Sequence, residues 1–239
     1  MIPLFKVNMP AGFENELINT MSSGYIGEGP KVKEFELKLS EFIGNPLCLS
    51  VNSGTSGLHL ALRLSDIGLD DEVITTPMTC TATNMPIMER GAKIVWADID
   101  PTTGSICPVS VANKITKKTK AIVVVHWGGN VVDLQAIHDI AHKHDIKVIE
   151  DAAHAFGSTY KSQKIGNHSD FVVFSFQAIK HLTTIDGGAV FCKNIEDYER
   201  GRRLKWFGID RNQPRKDFRC EEDILEHGYK FHMNDVCAT

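Results

Sequence analysis

AIVVVHW, residues Ala121 to Trp127, is the stretch on which the fold reading turns. It is a near-continuous apolar run, as expected for a strand buried on both faces of a sheet. Just downstream, Leu134, Ile137, Ile140 and Ala141 recur at helical spacing after Asp133, a residue suited to cap a helix start. KVIEDA (147–152), DFVVFSF (170–176) and GGAVFC (187–192) repeat the strand character. Upstream, EVITT (72–76) ends at Pro77, and AKIVWADID (92–100) follows. Leu58, Leu60, Ala61, Leu62 and Leu64 form a helical pattern after an SGTSG loop. This alternation predicts an α/β fold with a mostly parallel sheet flanked by helices. Ligands of such sheets sit beyond the carboxyl ends of the strands, so functional residues are expected just after them.

The ends of the chain differ from this middle. Lys31 to Ile43 reads as an amphipathic helix behind the glycine-rich GYIGEGP. Residues 200–228 are dense in charge, with Arg200, Arg202, Arg203, Arg211, Arg215 and Arg219 among acids. They read as a solvated surface or as an anion-contacting loop. The chain stops at NDVCAT, within what reads as the first turn of a helix, so a further C-terminal portion is expected. The 239 residues carry a net charge of −4, which argues against a nucleic-acid binder. There is no apolar run long enough to span a membrane, and MIPLFKVNMP lacks the pattern of a signal peptide. The six cysteines are scattered and form no CxxC pair, which suits reduced thiols in the cytoplasm.

Three segments carry chemistry. In NSGTSG (52–57), glycine lets the backbone approach an anion and a helix start offers free N–H groups to a phosphate. An ordinary capped helix entry reads equally well, and neither GxxxxGK[ST] nor GxGxxG is present. In VIEDAAHAFGS (148–158), His154 follows Asp151 by three residues, so the two share a face if a helical turn begins there. Asp151 can then pair with a cationic ring nitrogen, or it can be a helix cap. In FSFQAIKHLTTIDGGAVF (174–191), Lys180 lies five residues after Ser175, a hydroxyl suited to a phosphate. A buried lysine has a lowered pKa and serves as nucleophile or base, whereas a surface lysine does neither. His138, His142 and His144 lie on the polar side of their helix without HExxH, so no metal site is expected. Trp127 reads as pocket lining or as core, and His181 is expected to diverge from Lys180.

These segments, in this order, resemble the DegT/DnrJ/EryC1/StrS family of sugar aminotransferases that use pyridoxal phosphate (PLP). TPMTCTATN (76–84) and VHWGGNVVDLQAI (125–137) extend the resemblance, which runs from about Gly24 to the end. It implies the aspartate-aminotransferase-like large domain over 1–239, with an N-terminal arm. It also implies a connector over 200–239 that leads to a small C-terminal domain absent from the chain. Nucleotide-linked keto sugars are the implied substrates, glutamate the amino donor and a homodimer the assembly.

By the same resemblance, Lys180 corresponds to the lysine that bonds the cofactor and Asp151 to the carboxylate that keeps its pyridine nitrogen protonated. His154 corresponds to a contact of the cofactor ring or its 3-hydroxyl. Ser175, Gly54 and Thr55 correspond to phosphate ligands. Cys80 departs from the family, which often has a stacking aromatic there. In GYKFHMND (228–235), Lys230 and His232 correspond to positions that reach the partner subunit's cofactor phosphate. Two other readings stand beside this one: a non-catalytic regulator or inactive fragment, and a PLP-dependent sugar dehydratase, which the presence of Lys180 disfavours.

Overall fold

The computed structural model describes residues 2, 6–214 and 224–239. Arg215 and Arg219 therefore lie outside the described residues. Among the described residues nine strands form: β1 Cys48–Val51, β2 Glu72–Thr75, β3 Lys93–Trp96, β4 Thr119–Val125, β5 Lys147–Asp151, β6 Thr159–Tyr160, β7 Gln163–Lys164, β8 Phe171–Ser175 and β9 Gly188–Cys192. Seven of them make one sheet in the order β1-β9-β8-β5-β4-β2-β3, and β6 and β7 make a small hairpin. The pairs β2–β3, β2–β4, β4–β5 and β5–β8 are parallel. Only β9 runs against its neighbours β8 and β1. The mostly parallel α/β fold expected from the alternation is thus the observed one.

Helices cover both faces, which is why the central strands carry no polar alternation. Helices α2 (Pro30–Ile43), α5 (Pro108–Lys114) and α6 (Leu134–His144) pack with Ile122, Val124, Val148, Val172 and Phe174 on one face. Helix α3 (Gly54–Leu64), α4 (Thr81–Glu89) and α7 (Ile195–Leu204) lie toward the other face, with Val123, Ile149, Phe171 and Val173. Successive side chains of a strand point to opposite faces. In β5 this sends Glu150 to the first layer and Asp151 to the second.

Helix α3 sits unusually close to the sheet. A Cβ on Gly57 would fall 2.7 Å from Val173 Cγ1, so only glycine fits there. Its N-cap is Ser53, whose Oγ accepts from Ser56 N at 3.0 Å. The expected cap Asp133 likewise accepts from Ala136 N, at the start of α6.

The N-terminal helix α1 (Phe13–Ser23) and α2 are tied to the far end of the chain. Short helix α8 (Asp235–Ala238) begins with Asp235, which is fully buried and accepts from the amides of Gly29, Lys31 and Val32. It thereby caps α2 across some two hundred residues of sequence, since |i−j| reaches 206. Within the described part of the charged stretch, Arg200, Arg202 and Arg211 pair with acids. These pairs make the described part an ion-paired surface.

Two local expectations are corrected. Residues after Asp151 form turns rather than a helix, so Asp151 is no helix cap. Its Oδ1 accepts instead from Ala153 N at 3.1 Å, an Asx turn that a short acidic side chain makes readily. His138 is half-buried rather than solvated, because its Nε2 hydrogen-bonds Ser169 Oγ at 2.8 Å. His142 and His144 are exposed as expected.

Candidate active site

The carboxyl ends of β1, β2, β4, β5 and β8 open on one cavity of about 270 Å³. It lies where an α/β sheet is expected to bind its ligand. Gly54, Thr55, Asp151, His154, Ser175 and Lys180 all line it. Residues scattered over more than 120 positions of sequence are thus brought to one place.

At the start of α3, four amides lack intrahelical partners, as at any helix N-terminus. Ser53 Oγ takes that of Ser56, and the regular helical bonds begin with Gly57 N donating to Ser53 O. The amides of Gly54 and Thr55 remain for an anion, where the helix dipole favours negative charge. Gly54 is pressed against β8: a Cβ there would lie 2.8 Å from Ser175 Cβ. A Cβ on Gly188 would lie 2.7 Å from Gly54 N. The two glycines let the helix start, Ser175 and β9 converge. The Ser175 hydroxyl, at the end of β8, joins the same edge of the cavity.

Asp151 ends β5 and is 7% exposed. Its Oδ2 accepts from Thr83 Oγ1 at 2.6 Å, and Thr83 is itself buried. Thr79 Oγ1 lies 2.6 Å from Thr83 Oγ1. Because the single proton of Thr83 points to Asp151, Thr79 is the donor to Thr83. A carboxylate has about four lone-pair sites. Two named donors leave room for another from a ligand.

His154 stands on the turn after β5. Its Nδ1 accepts from Gly128 N at 3.2 Å, which puts the ring proton on Nε2. Its ring centroid is 5.4 Å from that of Trp127. Burial holds the His154 pKa below the usual histidine value, and the charges of Lys180 and His181 push the same way against Asp151. Lys180 sits on the turn after β8, fixed by Lys180 N donating to Gln177 O and Ile179 N donating to Gln177 Oε1. It is partly exposed, toward the cavity and toward a second groove of about 960 Å³ lined by Phe13, Phe35, Leu182 and Ile185. Ile185, a β-branched residue, has φ 69°, a strained left-handed conformation.

Other candidates sort as follows. Trp127 and Cys80 line the cavity, and Cys80 stands at the N-cap of α4. His181 lines the second groove rather than the first, as the divergence of adjacent side chains predicts. Lys230 and His232 lie outside the cavity: their backbones bridge to Trp206 and Val51, and the His232 ring packs 3.8 Å from that of Trp206. Thr79, Thr83 and Gln177 escaped the sequence reading. For the two threonines a signal existed, hydroxyls four residues apart just after a strand. Among the described residues no group of three or more His, Cys, Asp or Glu side chains is placed to hold a metal. Nor is any helix of the structure long and apolar enough to cross a membrane.

The DegT/DnrJ/EryC1/StrS aminotransferase family model matches residues 9–239. The chain belongs to this family. SpsC of Bacillus subtilis, a spore coat polysaccharide biosynthesis protein, is 39% identical over 94% of this chain and 58% of its own. The sugar aminotransferase CalS13 of Micromonospora echinospora superposes with a TM-score of 0.94 and 41% identity, over 100% of this chain and 66% of that one. Spr1654 of Streptococcus pneumoniae, in its PLP form, gives a TM-score of 0.91 and 34% identity, over 99% and 64%. The chain spans about three-fifths of the length of the curated relatives it matches. Aminotransferases of this family use PLP.

Proposed function

We propose that this chain holds PLP and transfers an amino group, with glutamate as donor, to a nucleotide-linked keto sugar. One observation carries the reading. An amine, a carboxylate and an open helix N-terminus with an adjacent hydroxyl share one cavity at the carboxyl edge of the sheet. Those groups fit the three ends of PLP: its aldehyde, its pyridine nitrogen and its phosphate. The glycine contacts at positions 54 and 188 support the phosphate assignment, because side chains there would push the helix start away from Ser175 and β9.

Bound PLP supplies an electron sink for the pair left behind when an amino acid Cα loses its proton. The chain's own residues do the rest. Gly54 and Thr55 amides and the Ser175 hydroxyl hold the phosphate, helped by the α3 dipole. Asp151, with Thr83 and Ala153 N already donating to it, accepts from the ring nitrogen and keeps it protonated. His154 meets the ring or its 3-hydroxyl with a neutral imidazole. Lys180 would hold the cofactor at its aldehyde end, and its amine would move the proton at the substrate Cα as general acid–base, a role worth about 10²–10⁴-fold.

In this reading residues 1–239 are the cofactor-holding unit of a cytoplasmic homodimer, with 200–239 as connector. Lys230 and His232, outside this chain's own cavity, are assigned to the partner's site. The test is to incubate the protein with PLP, isotope-labelled glutamate and a panel of nucleotide-linked keto sugars. Labelled nitrogen in an amino sugar nucleotide supports the reading. Absence of label across the panel, with PLP bound, contradicts it and favours a non-catalytic role.

A further inference from the structure

His126 and Glu150 are both fully buried, yet neither belongs to the machinery described above. His126 directly follows β4, and Glu150 is the penultimate residue of β5. Strand alternation puts them on the sheet face opposite Asp151. His126 Nε2 and Glu150 Oε2 are 2.7 Å apart, and His126 Nδ1 accepts from Val132 N at 3.2 Å. Nδ1 is thus occupied as an acceptor, so the ring donates to Glu150 through Nε2–H. Glu150 Oε1 is buried with no partner among the described residues. Such a group is costly in a core where an apolar pair would serve better. The other titratable ring near Glu150, His138 on α6, is engaged with Ser169 Oγ.

The pair grips both ends of one loop. At its start, His126 N donates to Asp151 O at 3.1 Å, and at its end the His126 ring holds Val132 N. Between them lie Gly128 and Gly129, with φ 62° and 84°. A Cβ on Gly129 would stand 2.9 Å from His154 O, so the loop is pressed on the backbone of His154. Gly128 N is the donor that fixes the His154 tautomer.

We propose that the His126–Glu150 pair positions the 127–131 loop and through it sets the ring tautomer of His154. His126 borders the cavity, but both its ring nitrogens are engaged, with Glu150 and Val132 N, and Glu150 does not line it; both are positioning residues. The consequence for cofactor affinity rests on the proposal above that His154 meets PLP. The tautomer consequence does not.

Two readouts separate these. Nitrogen NMR of the ligand-free protein reports the His154 tautomer, and titration with PLP reports affinity. In the parent chain His154 is expected as the Nε2–H tautomer. His126→Leu should mix the two tautomers and weaken PLP about 10-fold, the worth of one hydrogen bond. Glu150→Gln, whose amide oxygen still accepts from His126, should keep the parent tautomer and an affinity within about 2-fold of the parent. In a His154→Ala background His126→Leu should change PLP affinity by less than about 2-fold, because its route is gone. An unchanged tautomer in folded His126→Leu, or losses that multiply in the double variant, would overturn the proposal. If His126→Leu does not fold, His126→Asn, which is too short to reach Glu150, carries the same comparison. A parent chain that binds no PLP would contradict the proposed function while leaving the tautomer test in force.

Discussion

Replacing Lys205 with methionine tests how the N-terminal segment is locked to the sheet. Lys205 is the C-cap of α7 and is 3% exposed. Its Nζ lies 2.7 Å from Glu28 Oε1, 3.0 Å from Glu36 Oε1 and 3.2 Å from Ser50 O. Burial works to lower its pKa, but Glu36 and Glu28 outweigh that and the net shift is upward. Methionine keeps the volume and removes the charge, so no cavity term enters. Breaking a buried pair by removing one partner costs about 3–5 kcal/mol. The remaining partners temper this. Glu28 keeps Arg211 at 2.6 Å, and Glu36 keeps the amide and hydroxyl of Ser50. We therefore expect a loss near the lower end, about 3 kcal/mol. For a chain of this size that is a fall in Tm of roughly 6–12 °C. Guanidinium denaturation followed by circular dichroism measures it. The sign with pH is also fixed. The folded pKa of Glu28 is lowered, its burial being outweighed by Lys205 and Arg211. The stability it contributes is present at neutral pH and lost as pH falls through that folded pKa. The deficit of Lys205→Met should shrink on acidification. A loss under about 1 kcal/mol at pH 7, the value of an exposed pair, would refute the reasoning.

Three further predictions follow the site. Thr83→Val removes the 2.6 Å donor to Asp151 and should cost about 1.5–3 kcal/mol, part of which added PLP restores by supplying a new donor; an unchanged melting temperature would contradict it. Ile185→Gly should stabilise the chain by about 1 kcal/mol, the left-handed strain of about 1–3 kcal/mol exceeding the entropy glycine adds, and a destabilised variant in urea melts would refute it. His59, His138, His154 and His232 all have folded pKa values held down by burial. The unfolded chain therefore takes up protons first as pH falls through about 6.5, so stability should decline from neutral pH toward pH 5, less steeply in His154→Gln; a flat Tm profile would count against it.

The sheet was legible because its strands are buried on both faces, which leaves runs such as Phe171–Ser175 with no polar interruption. The reading overran at AKIVWADID, where only Lys93–Trp96 join the sheet, as edge strand β3, while Ile99 makes an isolated bridge to Ile106. The cavity residues were legible where chemistry follows a strand closely, as Asp151 and Lys180 do. Contacts between distant segments left no local mark. The cap that Asp235 gives α2, the His126–Glu150 pair and the Thr83 donor to Asp151 join residues 206, 24 and 68 apart. The cap reading of Asp151 failed because an acidic residue before alanines looks like a helix start whether or not the chain then turns.

Lys180, which lines one cavity with Asp151, is the residue proposed to bond the cofactor. Borohydride reduction of the PLP-loaded protein, followed by peptide mass spectrometry, tests it most directly. A pyridoxyl group should be fixed on Lys180 and none on the Lys180→Ala variant. PLP fixed on another lysine, or bound without fixing on Lys180, would contradict it.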